Sequence, residues 1–277
     1  MTRIDAHQHF WEYRQPDYAW ISDEMAVLQR DFLPEDLRRL LSAARFDGCV
    51  AVQARQSEAE STFLLRLAQQ HGFIRGVVGW VDLQAPEAGR QLQALSADPK
   101  LKGIRHIVQD EPDERFLLRP GFLEGIGLLK QYGLTYDILV YESHFPVVLQ
   151  FLERFPSQPF VLDHLGKPVI EGGPTADWTN GIRAMASHPD VYCKLSGLVT
   201  EAPAGKWEAE SFFPFLEVAV EAFGAERLMV GSDWPVCLLA ADSYSSVISI
   251  IDQFAQRLTE TERAAIYGDT ATQFYKL

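Results

Sequence analysis

The stretch R-I-D-A-H-Q-H-F-W at residues 3–11 begins the chain with a predicted β-strand that carries two histidines. Side chains alternate between the two faces of a strand, so His7 and His9 are expected to point to one face and to bind one metal ion together. The same alternation places Asp5 on that face and places Ile4 and Ala6 on the opposite, apolar face. The stretch therefore predicts a strand with a polar site on one side and core packing on the other.

Outward from this strand, short apolar runs alternate with helical stretches along the chain, which is the pattern of parallel βα units. The predicted strands are Arg3–His9, Gly48–Gln53, Ile74–Leu83, Leu101–Val108, Leu134–Tyr141, Phe160–Leu165, Val191–Gly197 and Arg227–Asp233. The predicted helices are Glu35–Phe46, Glu58–His71, Pro86–Ala97, Phe122–Tyr132, Pro146–Phe155, Trp178–Ser187 and Phe212–Phe223, followed by closing helices within Asp242–Arg257 and Glu260–Leu277 that cover the last strand. Eight units favour a single α/β domain over residues 1–277, folded as a (β/α)8 TIM-type barrel, rather than an open sheet.

Composition narrows the classes of function. The 277 residues are 47% hydrophobic and 23% charged, with a formal net charge of -13. This charge disfavours nucleic acid and anionic membranes as partners, because both are negatively charged. Cys49, Cys193 and Cys237 lie in or beside apolar runs and predict buried thiols in a reducing cytoplasm. We expect neither an export signal nor a membrane span, and a monomer and a small homo-oligomer fit the sequence equally well.

Polar residues at the predicted strand ends are the candidates for function, because barrel enzymes place their chemistry there. They are His7, His9, Trp80, Asp82, Arg105, His106, Tyr141, His164, Lys194, Ser196 and Asp233. Arg105 and His106 are adjacent, so only one of them enters the lumen unless the strand has a bulge. A single histidine in an apolar strand is often structural. The convergence of His7, His9, His164 and Asp233 on one mouth favours a functional site instead.

Seven motifs in chain order resemble the amidohydrolase superfamily, in its amidohydrolase-2 branch. They are D-A-H-Q-H-F-W at 5–11, L-P-E-D-L at 33–37, G-W-V-D at 79–82, K-G-I-R-H at 102–106, L-D-H-L-G-K-P at 162–168, K-L-S-G at 194–197 and G-S-D-W-P at 231–235. Within this branch the chain resembles sugar lactonases of the L-fucono-lactonase and L-rhamnono-lactonase type more than it resembles the decarboxylases. The resemblance implies a distorted (β/α)8 barrel that hydrolyses a small-molecule sugar lactone.

The resemblance also implies a metal-ligand set of His7, His9, His164 and Asp233. Metal-dependent members of the superfamily usually carry a further histidine at the end of strand five, where this chain has Tyr141, with His144 later in the loop. Lactonases of this branch work with or without a metal. The nitrogen and oxygen ligands suit Zn²⁺ or Mn²⁺, and metal-independent catalysis is the other alternative.

Lactone hydrolysis requires a base for water, stabilisation of the oxyanion and a proton for the leaving oxygen. We expect Asp233 to be the base, and Arg105 or His106, His164 or a bound metal to stabilise the oxyanion. Lys194 is a further donor. Residues suited to binding the sugar hydroxyl groups and its apolar face are Trp11, Arg55, Trp80, Asp82, Tyr141, Lys194, Ser196 and Trp234.

Three other functions fit parts of this pattern. A metal-assisted decarboxylase of an unsaturated or aromatic acid is the first, with Arg55 and Arg105 binding the carboxylate. A hydrolase of pyrone-type lactones is the second, although such substrates call for more cationic residues at the mouth. A non-catalytic barrel that binds a ligand or metal is the third, and binding without turnover would identify it.

Overall fold

The barrel is closed through its first and last strands. A computed structural model describes residues 2–203, 205 and 207–277, and in these residues eight parallel strands form one sheet in the order β1 to β8. The strands are β1 Ile4–Gln8, β2 Gly48–Val52, β3 Ile74–Gly79, β4 Leu101–Ile107, β5 Thr135–Leu139, β6 Phe160–Leu162, β7 Val191–Leu195 and β8 Leu228–Val230. Just beyond β8, the Asp233 amide donates to the His7 carbonyl at 2.8 Å and the His9 amide donates to the Trp234 carbonyl at 2.7 Å. The predicted (β/α)8 barrel is confirmed.

A helix follows each strand, as the sequence predicts. The helices are α1 Pro34–Ala43, α2 Glu58–Gln70, α3 Ala88–Ser96, α4 Pro120–Leu129, α5 Phe145–Leu152, α6 Ala176–Ala186, α7 Phe213–Phe223, α8 Tyr244–Phe254, α9 Glu260–Ala264 and α10 Thr270–Tyr275. Among the residues that the structure describes, no helix has both the length and the apolar character to cross a bilayer.

Several strands end earlier than predicted. The predicted strand six extends to Leu165 and the predicted strand eight to Asp233, whereas β6 ends at Leu162 and β8 at Val230. His164 and Leu165 have φ of 56° and 52°, and Asp233 has φ of 56°. This left-handed conformation is incompatible with an extended strand. The chain therefore turns at the positions where functional side chains leave the sheet.

A register shift in β1 changes the predicted orientation of its side chains. Asp5 pairs with Cys49 but Gln8 pairs with Ala51, so three steps along β1 correspond to two along β2. Such a bulge reverses the alternation of faces. Ile4 and Ala6 pack with apolar residues of the barrel interior, and Asp5 instead accepts hydrogen bonds from the Ser232 and Tyr244 hydroxyls at 2.6 and 3.1 Å. The prediction that Asp5 shares the interior with His7 and His9 was therefore wrong.

The C-terminal segment closes the barrel at the end opposite the functional strand ends. Ala271, Phe274 and Tyr275 pack in one cluster with interior residues of β1, β2, β3, β6 and β8. A π-helical turn at Ala265–Asp269 joins α9 to α10 and contacts β1 and β8. The predicted closing helices thus cover the last strand and also fill the barrel from below.

Two glycines of α4 provide a test of this packing. A Cβ on Gly125 would lie 2.2 Å from the Leu83 carbonyl oxygen, whereas the nearest atom to a Cβ on Gly127 is 4.0 Å away. We expect Gly125→Ala to lower the free energy of unfolding by about 1–3 kcal/mol through overpacking. We expect Gly127→Ala to raise it by about 0.5–1 kcal/mol through helix propensity. Urea unfolding of both variants measures this difference, and equal stability of the two would contradict the close packing of α4 on Leu83.

Candidate active site

Four side chains from three strand ends converge at the mouth of the barrel. His7 lies in β1 and His9 directly after it, His164 follows β6, and Asp233 follows β8. His7 Nε2 lies 3.2 Å from His9 Nε2, and Asp233 Oδ1 lies 3.3 Å from His9 Nε2. Asp233 Oδ1 is also 3.7 Å from His7 Nε2 and 4.0 Å from His164 Nε2. All four side chains are buried.

These separations fit a shared cation. Two ligands that bind zinc at about 2.1 Å with tetrahedral geometry are about 3.4 Å apart, close to the distances between these donor atoms. His9 Nδ1 lies 2.7 Å from the Val52 carbonyl, which can only accept, so a neutral His9 presents Nε2 as a lone pair. Donor atoms of His7, His164 and Asp233 all lie within 4.8 Å of one another. The group can therefore hold a metal ion.

The local backbone holds His164 and Asp233 in position at an energetic cost. Both residues are left-handed, a conformation that costs non-glycine residues about 1–3 kcal/mol. Gly197 also has positive φ, and a Cβ there would lie 2.4 Å from His164 Nδ1. Ser196 Oγ lies 2.9 Å from the same nitrogen and orients the ring. The motif K-L-S-G at 194–197 thus supports the histidine of a neighbouring strand.

Electrostatics favour neutral imidazoles and an ionised carboxylate. Burial lowers the pKa of His164 to about 4, against the attraction of Asp233 and Asp163. Burial and then the nearby Lys194 hold the pKa of His7 well below its usual value. Burial opposes ionisation of Asp233, but His164, His9 and His7 outweigh it and hold the pKa of this carboxyl below its usual range. These are the protonation states that metal ligands require.

Arg105, not His106, enters the lumen from β4. Its guanidinium donates to Asp163 Oδ2 at 3.0 Å and to the Gln53 carbonyl, and it lies 3.3 Å from His7 Nε2. His106 faces the helix layer, where its ring stacks on Phe116 with centroids 4.5 Å apart. There His106 Nε2 lies 2.7 Å from Glu111 Oε1. Because β4 has no bulge at this point, only Arg105 of the adjacent pair enters the lumen, and His106, predicted as a catalytic residue, lies outside it.

Most of the predicted substrate-binding residues lie away from the mouth. Trp80 donates to His106 Nδ1 from the outer face, and Asp82 accepts from the Gln84 amide. Trp11 and Trp234 are buried and pack on Phe32. Trp80 and Asp82 were predicted from strand-end positions, and Trp11 and Trp234 as surfaces for a sugar ring. None of the four lines the cavity.

Arg55 and Lys194 also form ion pairs outside the cavity. Arg55 pairs with Glu60 at 3.0 Å and with Asp17 at 2.7 Å on the rim. Lys194 is fully buried beneath His7, where it pairs with Asp137 at 2.5 Å. Neither lines the cavity above the four convergent side chains, whereas Tyr141 does, and Ser196 reaches the site through His164.

A cavity of about 450 Å³ lies above the convergent side chains. Besides Tyr141, its polar and apolar walls include residues that sequence reasoning missed: Trp20, Met25, Gln109, Asp110, Lys167, Thr200, Glu201, Val236 and Leu239. Lys167 forms an ion pair with Glu201 at 3.2 Å. Lys167 and Asp163 belong to the motif L-D-H-L-G-K-P, so this motif could have indicated that both lie near the site. Trp20 and Met25 come from the long β1–α1 connection, which carries no motif.

The sequence matches the amidohydrolase family (Amidohydro_2) over residues 4–277. The chain belongs to the amidohydrolase family. This amidohydrolase is 44% identical to an L-fucono-1,5-lactonase of Burkholderia multivorans (strain ATCC 17616 / 249), with 99% of this chain and 96% of the relative covered. It is 36% identical, with the same coverage, to an L-fucono-1,5-lactonase of Burkholderia ambifaria (strain ATCC BAA-244 / DSM 16087 / CCUG 44356 / LMG 19182 / AMMD). A crystal structure of a Burkholderia multivorans amidohydrolase with bound zinc has a TM-score of 0.94 and 44% identity, covering 100% of both chains.

The low pKa of His164 predicts a pH-dependent stability of this amidohydrolase without metal. Between pH 7 and 5 the unfolded chain protonates this histidine, with a pKa near 6.5, whereas the folded chain does so only near pH 4. Stability therefore falls as the pH falls. We expect the metal-free wild type to lose about 2 kcal/mol more than His164→Asn over this interval. Urea unfolding of both proteins in the presence of a chelator, at pH 7 and at pH 5, measures this difference in the free energy of unfolding.

Asparagine is the matched replacement for His164, since it tolerates the left-handed backbone at this position. If wild type and His164→Asn lost the same stability between pH 7 and 5, the lowered pKa would be contradicted.

Proposed function

We propose that this amidohydrolase hydrolyses an aldonolactone, with L-fucono-1,5-lactone as its preferred substrate, to the open-chain aldonic acid. The observation that carries the proposal is an ionised Asp233 that faces the cavity with His7, His9 and His164 around its carboxylate. Full-length similarity to two L-fucono-1,5-lactonases supports the same reaction, which the sequence also predicts.

The reaction needs one proton acceptor that later becomes a donor. Asp233 accepts a proton from water as the water oxygen bonds to the lactone carbonyl carbon, and the carbonyl oxygen becomes an oxyanion. When the carbonyl re-forms, the bond to the ring oxygen breaks and that oxygen takes the proton from Asp233. One water is consumed, and the new carboxylic acid releases a proton at neutral pH.

His7, His9, His164 and Asp233 are the residues that would hold a metal ion, and we propose zinc on the basis of the zinc-bound relative. Their nitrogen and oxygen donors also suit Mn²⁺. When bound, the ion supplies Lewis-acid polarisation of the carbonyl and a more acidic water. Arg105 lines the cavity beside His7 and contributes fixed positive charge near the developing oxyanion.

The cavity walls suit a hydroxylated ring. Gln109, Lys167, Thr200 and Glu201 offer donors and acceptors for sugar hydroxyl groups, and the cavity volume lies in the range of small-molecule sites. Trp20, Met25, Val236 and Leu239 provide apolar surface for the C–H face.

The structure offers no specific support for the decarboxylase alternative. The two arginines suggested to bind a substrate carboxylate already pair with protein acceptors: Arg105 with Asp163, and Arg55 with Glu60 and Asp17.

Cys49, Cys193 and Cys237 are buried as free thiols, which fits the proposed cytoplasmic location.

Asp233→Asn tests the proposed base. We expect it to lower kcat/KM for L-fucono-1,5-lactone by about 10²–10⁴-fold, because an amide cannot accept the proton from water. Acid release with a pH indicator measures the rate. Asp82→Asn is the matched control and is expected to keep wild-type activity, since Asp82 lies outside the cavity and its amide replacement can still accept from the Gln84 amide. Comparable activity of Asp233→Asn and wild type would refute the assignment.

Metal removal tests the proposed cofactor. Protein shown to be metal-free by atomic emission is expected to lose lactonase activity, because Asp233 then lacks a polarised water and carbonyl. Addition of Zn²⁺ should restore activity with one ion bound per chain, and Mn²⁺ serves as the comparison metal. Full turnover by the metal-free protein would establish the metal-independent alternative instead.

A further inference from the structure

A buried group of charges lies directly beneath the proposed metal site. Lys194 Nζ is 2.5 Å from Asp137 Oδ2 and 3.0 Å from Asp163 Oδ1, and Arg105 is 3.0 Å from Asp163 Oδ2. Tyr275, from the helix that closes the barrel, donates to Asp137 Oδ2 at 2.8 Å. Asp137, Asp163 and Lys194 are completely buried and do not line the cavity. The two carboxylates and two cations have no net charge together, so each buried charge has a partner of opposite sign.

His7 connects this group to the site above. Its Nδ1 lies 3.4 Å from Asp163 Oδ1 and 3.2 Å from Lys194 Nζ, while its Nε2 lies 3.3 Å from Arg105. Lysine and arginine side chains only donate hydrogen bonds, and a neutral imidazole has one acceptor nitrogen. Lys194 and Arg105 therefore cannot both donate a hydrogen bond to a neutral His7 at the same time. The position of the single ring proton decides which nitrogen is available as a ligand.

Asp163 is the carboxylate whose position can determine which nitrogen of His7 carries the proton. Its Oδ1 is buried and accepts no well-directed hydrogen bond within the described residues, despite its ion-pair contact with Lys194. It therefore has acceptor capacity for the proton of His7 Nδ1. The Lys194 ammonium has three protons and lies near Asp137, Asp163 and, at 3.2 Å, His7 Nδ1, so the lysine competes with Asp163 for this nitrogen. A proton on Nδ1 would have Asp163 as its acceptor and would leave Nε2 free to accept from Arg105.

We propose that Asp163 is a positioning residue: it accepts the Nδ1 proton of His7, and the Nε2 lone pair therefore faces His9, Asp233 and the bound metal. Carboxylates that orient metal-bound histidines in this way raise metal affinity, and their loss typically weakens it about 10–100-fold. This inference rests on the metal-dependent lactonase proposed above. It adds a role for the aspartate of L-D-H-L-G-K-P at 162–168.

The direct test is the tautomer of His7 in the metal-free enzyme, measured by ¹⁵N NMR of histidine-labelled protein. We expect wild type to carry the proton on Nδ1. In Asp163→Asn the amide can donate to Nδ1, so the proton is expected to move to Nε2. A wild-type His7 with its proton on Nε2 would overturn the proposal, even if Asp163→Asn fails to fold.

Asp137→Asn is the matched control. It removes the same charge from the same buried group, but Asp137 contacts Lys194 and Tyr275 rather than His7 in the described structure. Thermal melting should show that both variants lose stability. Competition with a chromophoric chelator should show about 10–100-fold weaker Zn²⁺ binding for Asp163→Asn only. Equal loss of affinity in both variants, or none in either, would reduce Asp163 to a structural role.

Wild-type measurements separate this inference from the proposed function. Absence of Zn²⁺ binding or of lactone hydrolysis by wild type would refute the proposed function, whereas the tautomer of His7 is read without metal or substrate. A wild type that binds Zn²⁺ and hydrolyses the lactone, with its His7 proton on Nε2, would refute the role of Asp163 alone.

Discussion

Closure of the barrel between its first and last strands is the constraint on which the site depends. The hydrogen bonds Asp233 N–H to His7 carbonyl and His9 N–H to Trp234 carbonyl join segments more than two hundred residues apart in the chain. They bring His7 of β1 and His9 just after it next to Asp233, the carboxylate that follows β8. Asp5 strengthens the same seam, since it accepts hydrogen bonds from the Ser232 backbone and side chain. Backbone pairing thus fixes the relative positions of His7, His9 and Asp233.

Charge is arranged in two layers along the barrel axis. In the lower layer Asp137 and Asp163 are compensated by Lys194 and Arg105, and Tyr275 supplies a further donor from the C-terminal helix. In the upper layer Asp233 faces three imidazoles, two of which have lowered pKa values. The ionised carboxylate gives this layer a negative charge, which suits the cation proposed to bind there. Because the charges of the lower layer cancel one another, the uncompensated negative charge lies only at the mouth of the barrel.

Much of this arrangement could be predicted from the sequence, because it depends on periodicity and on strand ends. Eight βα units and the convergence of His7, His9, His164 and Asp233 follow from those rules. The face of Asp5 could not be predicted, since a bulge in β1 leaves no mark in the alternation of residue types. The substrate-binding wall was mostly missed because it is built by loops, as with Trp20 and Glu201. Lys194 was predicted to bind substrate but is buried outside the cavity, because a position near a strand end does not show how deep the side chain lies.

The closed lower end of the barrel explains how so many ionised groups can remain ordered near one another. Phe274 and Tyr275 fill the interior beneath Lys194, and their apolar rings exclude water from that side. In a water-poor interior each charge interacts more strongly with its neighbours, and an unpaired charge is more costly. The side chains of the lower layer consequently have few acceptable arrangements. That restriction is transmitted upward through Asp163 and Arg105 to His7, so a helix at the end of the sequence contributes to the precision of a site at the opposite end of the barrel.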